Sequence, residues 1–281
     1  MYISQAERTG FQPINVFENE AWLEYSEQKL NNFVRQSLDA SLTAPQALGF
    51  PLKYSDAIAN LHTPPESLKV LDFGGGVGHL FPLFRYTMNN VRADINIDYT
   101  IVDGAPSCKR GQELFSGQRR PSPPIYYEQH DVSVANISLH SDCIEFRTSL
   151  EGYEKSIDVF ISTITLYYLT DLSKLFALIE EKKPKLIFFS YFLANTIGEK
   201  INLAQVFTDQ SAKIFPDRNA YLDVTAHSME HIVATLTDSG YVQIPGVEYD
   251  KGTGKEFSES LRNQHPGVKM IDLFFSLKES T

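Results

Sequence analysis

The residues with the most chemistry in their spacing are Asp72, Gly74, Gly76 and Gly78, inside Val70-Leu71-Asp72-Phe73-Gly74-Gly75-Gly76-Val77-Gly78. A short apolar run, 68–73, leads into the glycines, and a helical spacing at Leu80, Leu83, Phe84 and Met88 leads out. Glycines at such a junction let the chain turn sharply and let a ligand approach where a Cβ would otherwise stand. The helix that follows starts with backbone N–H groups that have no helical partner. A phosphate loop would need Gly-Lys-Ser/Thr, and Gly78-His79-Leu80 has neither the lysine nor the hydroxyl. The dinucleotide fingerprint places its third glycine one position later than Gly78, and it serves a pyrophosphate that would sit poorly beside Asp72. An acid two residues ahead of the glycines suits a ligand with a cationic end and no phosphate.

A second acid supports this choice. Asp103 closes the apolar run Tyr99-Thr100-Ile101-Val102, 27 residues after Gly76. From a strand end it can accept both hydroxyls of a ribose. S-adenosylmethionine carries an ammonium, a sulfonium and a ribose, so both acids would favour it. The competing role for Asp103 is a turn or helix-capping residue in Asp103-Gly104-Ala105-Pro106.

Val70 to Gly78, Ile101-Val102-Asp103, and Asp158-Val159-Phe160-Ile161-Ser162-Thr163-Ile164-Thr165-Leu166-Tyr167-Tyr168-Leu169 resemble motifs I, II and IV of class I S-adenosylmethionine-dependent methyltransferases. Over about residues 15–277 the chain is most similar to a poorly characterised bacterial subgroup of that class with an Asp-Phe-Gly-Gly loop start. The resemblance implies that Asp72, Gly74, Gly76 and Gly78 surround the methionine end of the cofactor and that Asp103 holds the ribose. It also puts residues after the third strand, Ser149 and Leu150, near the adenine, and the segment from Thr163 beside the sulfonium. Gly75 and Gly104 complete the expected cofactor-binding set. If the third strand is instead 125–129, Asp131 and Val132 take the adenine position.

Methyl transfer from a sulfonium is an in-line displacement, and the protein mainly aligns the reacting atoms. The catalytic or positioning candidates are His79, Tyr167, Tyr168 and Tyr191, with His227 and His231 behind them. His79 follows the glycine loop, where a helix start opposes its protonation. Tyr167 and Tyr168 follow the fourth strand and could face a sulfonium by cation–π contact, although core packing competes for both. His227 and His231 sit four apart without a third ligand in evidence, so no metal is expected. Ser162, Ser190 and Tyr191 supply no acids for catechol-type metal chemistry. Asp/Asn-Pro-Pro-Tyr is absent after the fourth strand, and Ser122-Pro123-Pro124-Ile125 imitates it only in a loop.

The elements that must position these groups repeat as strand, turn, helix. Helical spacing covers 21–40 and 54–61, and Pro64-Pro65 ends a helical cap or lid over 1–65. Residues 66–281 form the cofactor domain. Its expected strands are 68–73, one ending at Asp103, 143–147, 157–161, 186–191, 241–244 and 268–277. Helices are expected at 109–115, 172–180 and 229–236, the last closed by Gly240. Two stretches, 116–142 and 195–224, read as insertions, the second as an irregular lid or substrate loop. The expected class is a Rossmann-like α/β fold with a mostly parallel seven-stranded sheet, its last strand antiparallel and at an edge.

Composition sets the remaining limits. A formal charge of −10 in 281 residues argues against nucleic acid and anionic membranes, because phosphate binding draws on clustered Lys and Arg. Two cysteines, no apolar leader and no membrane-length apolar run point to a soluble, cytoplasmic protein. The expected activity is metal-independent methyl transfer to a small molecule in biosynthesis, oxygen ahead of nitrogen, by a monomer or homodimer. A lyase or cyclase releasing methylthioadenosine from the same pocket, and a non-catalytic S-adenosylmethionine binder, are the alternatives.

Overall fold

The computed structural model describes residues 1–38, 57–58, 67–91, 95–119, 143–206, 220–244 and 257–278. They fall into two compact units, Glu20–Phe160 and Met1–Asn19 with Ile161–Thr281. The chain opens with β1 (Tyr2–Ser4) and β2 (Gln12–Pro13), separated by a 3-10 turn over Gln5–Arg8. Helix begins only at Glu20, so the first nineteen residues are not part of a helical cap. Gly10, at a φ of 93°, and Pro13 interrupt any helical run there.

In the unit Glu20–Phe160, α1 (Glu20–Leu38) buries Leu23 and Leu30 on one face, at the spacing read from the sequence. The same face carries Glu27, fully buried between Arg110 and Arg119, while Arg110 also reaches Glu20 at 2.6 Å. Next come β3 (Ser67–Phe73), α2 (Phe81–Val91), β4 (Asn96–Val102), α3 (Ala105–Phe115) and β5 (Cys143–Arg147). β3 pairs parallel with β4, and β4 pairs parallel with β5, the repeated strand–helix–strand unit of a Rossmann-like α/β fold. Register places Phe73 opposite Val102 and Val102 opposite Arg147, so three strands end at one level. α3 starts four residues before the expected 109, because Pro106 fits a first helical turn, where its missing N–H costs little. The third strand is 143–147. Its competitor at 125–129 lies outside the described residues, as do Asp131, Val132 and most of 54–61 and 116–142.

β6 (Val159–Thr163) runs through the division between the units, two residues later than expected. After it come α4 (Ser173–Lys182), β7 (Leu186–Asn195), β8 (Ile201–Val206) and β9 (Ala220–Ser228). The chain then continues through α5 (Met229–Asp238), β10 (Tyr241–Ile244), α6 (Glu259–Gln264) and β11 (Val268–Leu277). Two strands therefore run through the described residues of 195–224, and 207–219 lie outside the described residues. β8 and β9 form an antiparallel pair from Ile201↔Ala226 to Val206↔Tyr221. Asn202, Gln205, Asp223 and Thr225 break its apolar alternation, and that hid both strands. β11 is antiparallel, as expected, but it lies between β7 and β10 and is no edge. Four strands, β1, β2, β8 and β9, are added to the seven expected among the described residues.

Candidate functional site

The glycine loop leaves β3 at Phe73 and turns at once. Gly74, Gly76 and Gly78 have φ values of 78°, 60° and 85°, three left-handed positions in five residues. The Gly74 N–H donates to the Val102 carbonyl at 2.7 Å. A Cβ on Gly75 would stand 2.5 Å from Asp72 Oδ2, so this glycine makes room for the acid. A Cβ on Gly76 would meet only the ring of His79, at 3.3 Å. Gly76 is barer backbone than Gly75 or Gly78.

Two acids flank it. Asp72 is 1% exposed, and its Oδ2 accepts from the Tyr99 hydroxyl at 2.9 Å. Its Oδ1 is buried and has no partner among the described residues. Burial pushes this carboxyl up to about 7, with the Asp103 charge adding to the effect. Asp103 is more accessible. Its Oδ2 accepts from the Gly76 N–H at 2.8 Å and its Oδ1 from the Gly104 N–H at 2.7 Å. Ser107 adds a third hydrogen bond, and burial still holds the carboxyl above its ordinary value. Asp103 thus ties the loop to the start of α3, the turn role weighed above, and with three donors on its four lone-pair sites one is left for a ligand. A buried carboxylate oxygen without a donor, beside bare backbone, fits a hydrogen-bonding cation and would repel a phosphate.

His79 packs on Phe33 with ring centroids 5.9 Å apart, and its buried Nδ1 has no partner among the described residues. Burial, then the Lys29 charge, lowers its pKa to about 3, which leaves the ring neutral. The helix start was the wrong cause, because α2 begins two residues further on. Lys29 lies over the Tyr25 ring at 4.5 Å and the Trp22 ring at 5.6 Å. Its amine is pushed down to about 8 by burial. After β5, Ser149 is exposed and accepts from the Glu151 N–H at 2.9 Å, while Leu150 is half-buried.

In the other unit, Thr163 Oγ1 is buried with no partner among the described residues. Two non-glycine residues here are left-handed, Ile164 at a φ of 58° and Tyr191 at 49°. The Ile164 N–H donates to the Ser190 carbonyl at 3.0 Å, and the Tyr191 N–H to Asp272 Oδ1 at 3.0 Å. The β7–β11 register slips here, between Ile271 and Leu273, which marks a bulge. Backbone strain of this kind collects at functional sites. Tyr167 and Tyr168 are placed differently. Tyr167 is buried in a core cluster with Leu193, Leu203 and Val224, edge-on to Tyr2 at 6.2 Å. Burial drives its phenol well above the ordinary value. The Tyr168 hydroxyl donates to Gln205 Oε1 at 3.1 Å, its ring packs edge-on to Phe17, and burial pushes it up to about 12. Both rings are committed to packing, and neither phenol is a base near neutral pH.

No protein-family model matches this chain, and no curated protein does. Among solved structures it is similar to the glycopeptide N-methyltransferase MtfA complexed with sinefungin. The identity is 9% over 83% of this chain and 87% of that one, with a TM-score of 0.48. Similarity to YcgJ from Bacillus subtilis is 13% over 84% and 99%, with a TM-score of 0.45. For the mitomycin 7-O-methyltransferase MmcR it is 13% over 86% and 60%, with a TM-score of 0.38. Likenesses of this degree decide nothing about chemistry, which the chain's own residues must carry.

His227 was underweighted in the sequence. It is 5% exposed at the end of β9, its ring stacked on Phe192 at 5.8 Å. His231, four residues on, is exposed on α5 and packs on Phe176. Among the described residues no group of His, Cys, Asp and Glu could hold a metal.

Proposed function

We propose that the chain is a class I S-adenosylmethionine-dependent methyltransferase that acts on a small molecule without a metal. The observation that carries this reading is the buried, unpartnered Asp72 Oδ1 beside a glycine loop held by Asp103. Asp72 would receive the ligand's ammonium, and the remaining lone pair of Asp103 a ribose hydroxyl, the second hydroxyl displacing Ser107. Gly74, Gly76 and Gly104 would give the ligand backbone without side chains, while Gly75 and Gly78 let the loop that holds it pass Asp72 and Phe115, where a Cβ would clash. Ser149 and Leu150 follow β5, where the motif order places an adenine, and Thr163 keeps its sulfonium role on that order alone. When bound, the cofactor supplies an electrophilic methyl group on sulfur. His79, neutral and set against Gly76, is a positioning group for the ligand and no proton carrier near pH 7. Tyr191 is held by a strained bulge and stays a candidate on the acceptor side.

An oxygen acceptor is preferred to nitrogen, and the setting proposed is small-molecule biosynthesis in the cytoplasm. Cys108, a buried free thiol, is in keeping with a reducing compartment. No helix of the described residues is long and apolar enough to cross a membrane. Calorimetry with S-adenosylhomocysteine, followed by methyl transfer from labelled S-adenosylmethionine to an acceptor panel, tests the reading. Saturable binding and labelled product are expected. Methylthioadenosine released without any acceptor would convert the reading to a lyase or cyclase, and tight binding without turnover to a non-catalytic binder. Binding of a nucleoside diphosphate in place of S-adenosylhomocysteine would end it.

A further inference from the structure

Within the unit Met1–Asn19 with Ile161–Thr281, a cavity of about 270 Å³ opens beside the starts of α4 and α5. That volume lies just below the roughly 300–1,000 Å³ of drug-sized ligand sites, so it suits a single ring with small substituents. Leu172, Phe176 and Ile232 give it an apolar wall, and His227 and Ser228 are its buried polar residues.

The histidine's environment fixes its tautomer. Nε2 lies 2.8 Å from the Leu169 carbonyl and 3.2 Å from the Leu166 carbonyl. Carbonyl oxygens only accept, so Nε2 carries the proton and Nδ1 the lone pair. Nδ1 has no partner among the described residues. Burial, the largest influence, lowers the imidazole's pKa and outweighs the two carbonyl hydrogen bonds, which raise it; Lys200 adds to the lowering and Asp171 opposes it. Glu199 and His231 are the other titratable groups lining the cavity. Neutral His227 therefore offers one acceptor, Nδ1, to whatever enters.

The cavity is not built for an anion. The N–H at the start of α4 is already taken, Ser173 N–H donating to Asp171 Oδ1 at 3.0 Å. At α5, the His231 N–H donates to Ser228 Oγ at 3.3 Å. Asp171, Glu199 and Lys200 sit exposed with both signs present. The Ser173 hydroxyl is engaged with Asp171 and Ser228 Oγ caps α5, which leaves the His227 acceptor next to a flat aromatic and aliphatic wall. We propose that this cavity binds a small phenol, its ring against Leu172, Phe176 and Ile232 and its hydroxyl donating to Nδ1 of His227. A phenol is a stronger donor than an alcohol, and its ring uses the wall. It is also an oxygen acceptor for methyl transfer, and that further link rests on the function proposed above.

The test uses the full chain with ¹⁵N-labelled histidine, p-cresol as probe and toluene as its hydroxyl-free counterpart, without any cofactor. Saturable p-cresol binding is expected, at least about tenfold tighter than toluene, the scale of one hydrogen bond to a buried acceptor. The His227 Nδ1 resonance should shift on binding, and affinity should fall as acid protonates the ring. His227→Phe should keep toluene binding and lose the preference for p-cresol. Equal affinity for the two probes, an unmoved Nδ1 resonance, or no saturation at about 10 mM would overturn the proposal. Benzylamine binding better than p-cresol would overturn it too, by making Asp171 and Glu199 the recognising groups. Because S-adenosylhomocysteine is absent throughout, this failure is separate from failure of the methyl-transfer reading.

Discussion

Asp103 Oδ2 accepts a hydrogen bond from the backbone N–H of Gly76 at 2.8 Å, so the acid at one strand end shapes the loop at the next. The same carboxylate accepts from Gly104 at the start of α3. Asp103→Ala removes both anchors and the proposed ribose acceptor. Affinity for S-adenosylhomocysteine should fall by roughly 1–3 kcal/mol, the worth of charge-assisted hydrogen bonds. Asp103→Asn keeps one acceptor oxygen and should lose less. Calorimetry showing unchanged affinity in a folded Asp103→Ala would remove Asp103 from the site.

Asp72 makes a prediction about pH. Its folded carboxyl is pushed from 3.8 up to about 7, chiefly by burial. A raised acid favours the fold in its protonated state. That contribution is complete below the unfolded value and is lost as pH rises through the folded one. Wild type should therefore lose stability relative to Asp72→Asn between about pH 4 and 7, a trend readable from urea midpoints. A cationic ligand reverses the preference and should expel the proton. Near pH 6, binding heats measured in buffers of different ionisation enthalpy should report proton release. Their equality would show that Asp72 does not meet the cation.

Gly75 separates space from backbone conformation. Its φ is not left-handed, so Gly75→Ala adds no backbone strain, yet its methyl would stand 2.5 Å from Asp72 Oδ2. The overpacking should cost about 1–3 kcal/mol of stability and displace the carboxylate. Adding Asp72→Ala to the same chain should recover much of the stability loss. A double-mutant cycle with no coupling would place the clash elsewhere.

Glu27 is fully buried and meets two guanidiniums, Arg110 and Arg119, with Arg119 Nε at 2.8 Å. Glu27→Gln leaves those cations facing a neutral amide, and losing one partner of a buried ion pair costs about 3–5 kcal/mol. Arg119 is about a third exposed, so water recovers part of that. The thermal midpoint should fall by several degrees, and a shift of under a degree would show that α1 is held by its apolar face alone.

The sequence was most legible where one residue type meets one physical demand. Left-handed turns demand glycine, so Gly74, Gly76 and Gly78 stood out, and unbroken apolar runs marked β3, β4 and β7. Asp103 admitted two readings, a ligand acid and a turn residue, and its carboxylate does serve the turn. Features made by distant pairing left no local sign. Thr225 meets Asn202 across the pair, while Gln205 is met by Tyr168 and Asp223 by Arg8 from elsewhere in the chain, so each segment alone looked like a loop. The tautomer of His227 depends on carbonyls 58 and 61 residues away. Tyr167 and Tyr168 followed the right strand, but no local pattern says that Tyr2 and Phe17 fill the space around them.

The bulge in β7 was equally hidden, and it supplies the last prediction. A strand read as ending at Tyr191 continues to Asn195, because Tyr191 turns left-handed and Asp272 Oδ1 takes its N–H. Asp272 is 4% exposed, so its removal takes a buried acceptor away from that backbone donor. Asp272→Ala should destabilise the chain by roughly 1–3 kcal/mol, the cost of an unsatisfied buried group. Asp272→Asn, which keeps Oδ1, should cost less. If Tyr191 belongs to the acceptor side, Asp272→Ala should also lower turnover at saturating acceptor more than it changes S-adenosylhomocysteine affinity. Loss of cofactor affinity with turnover per bound complex unchanged would instead make the bulge a purely structural joint.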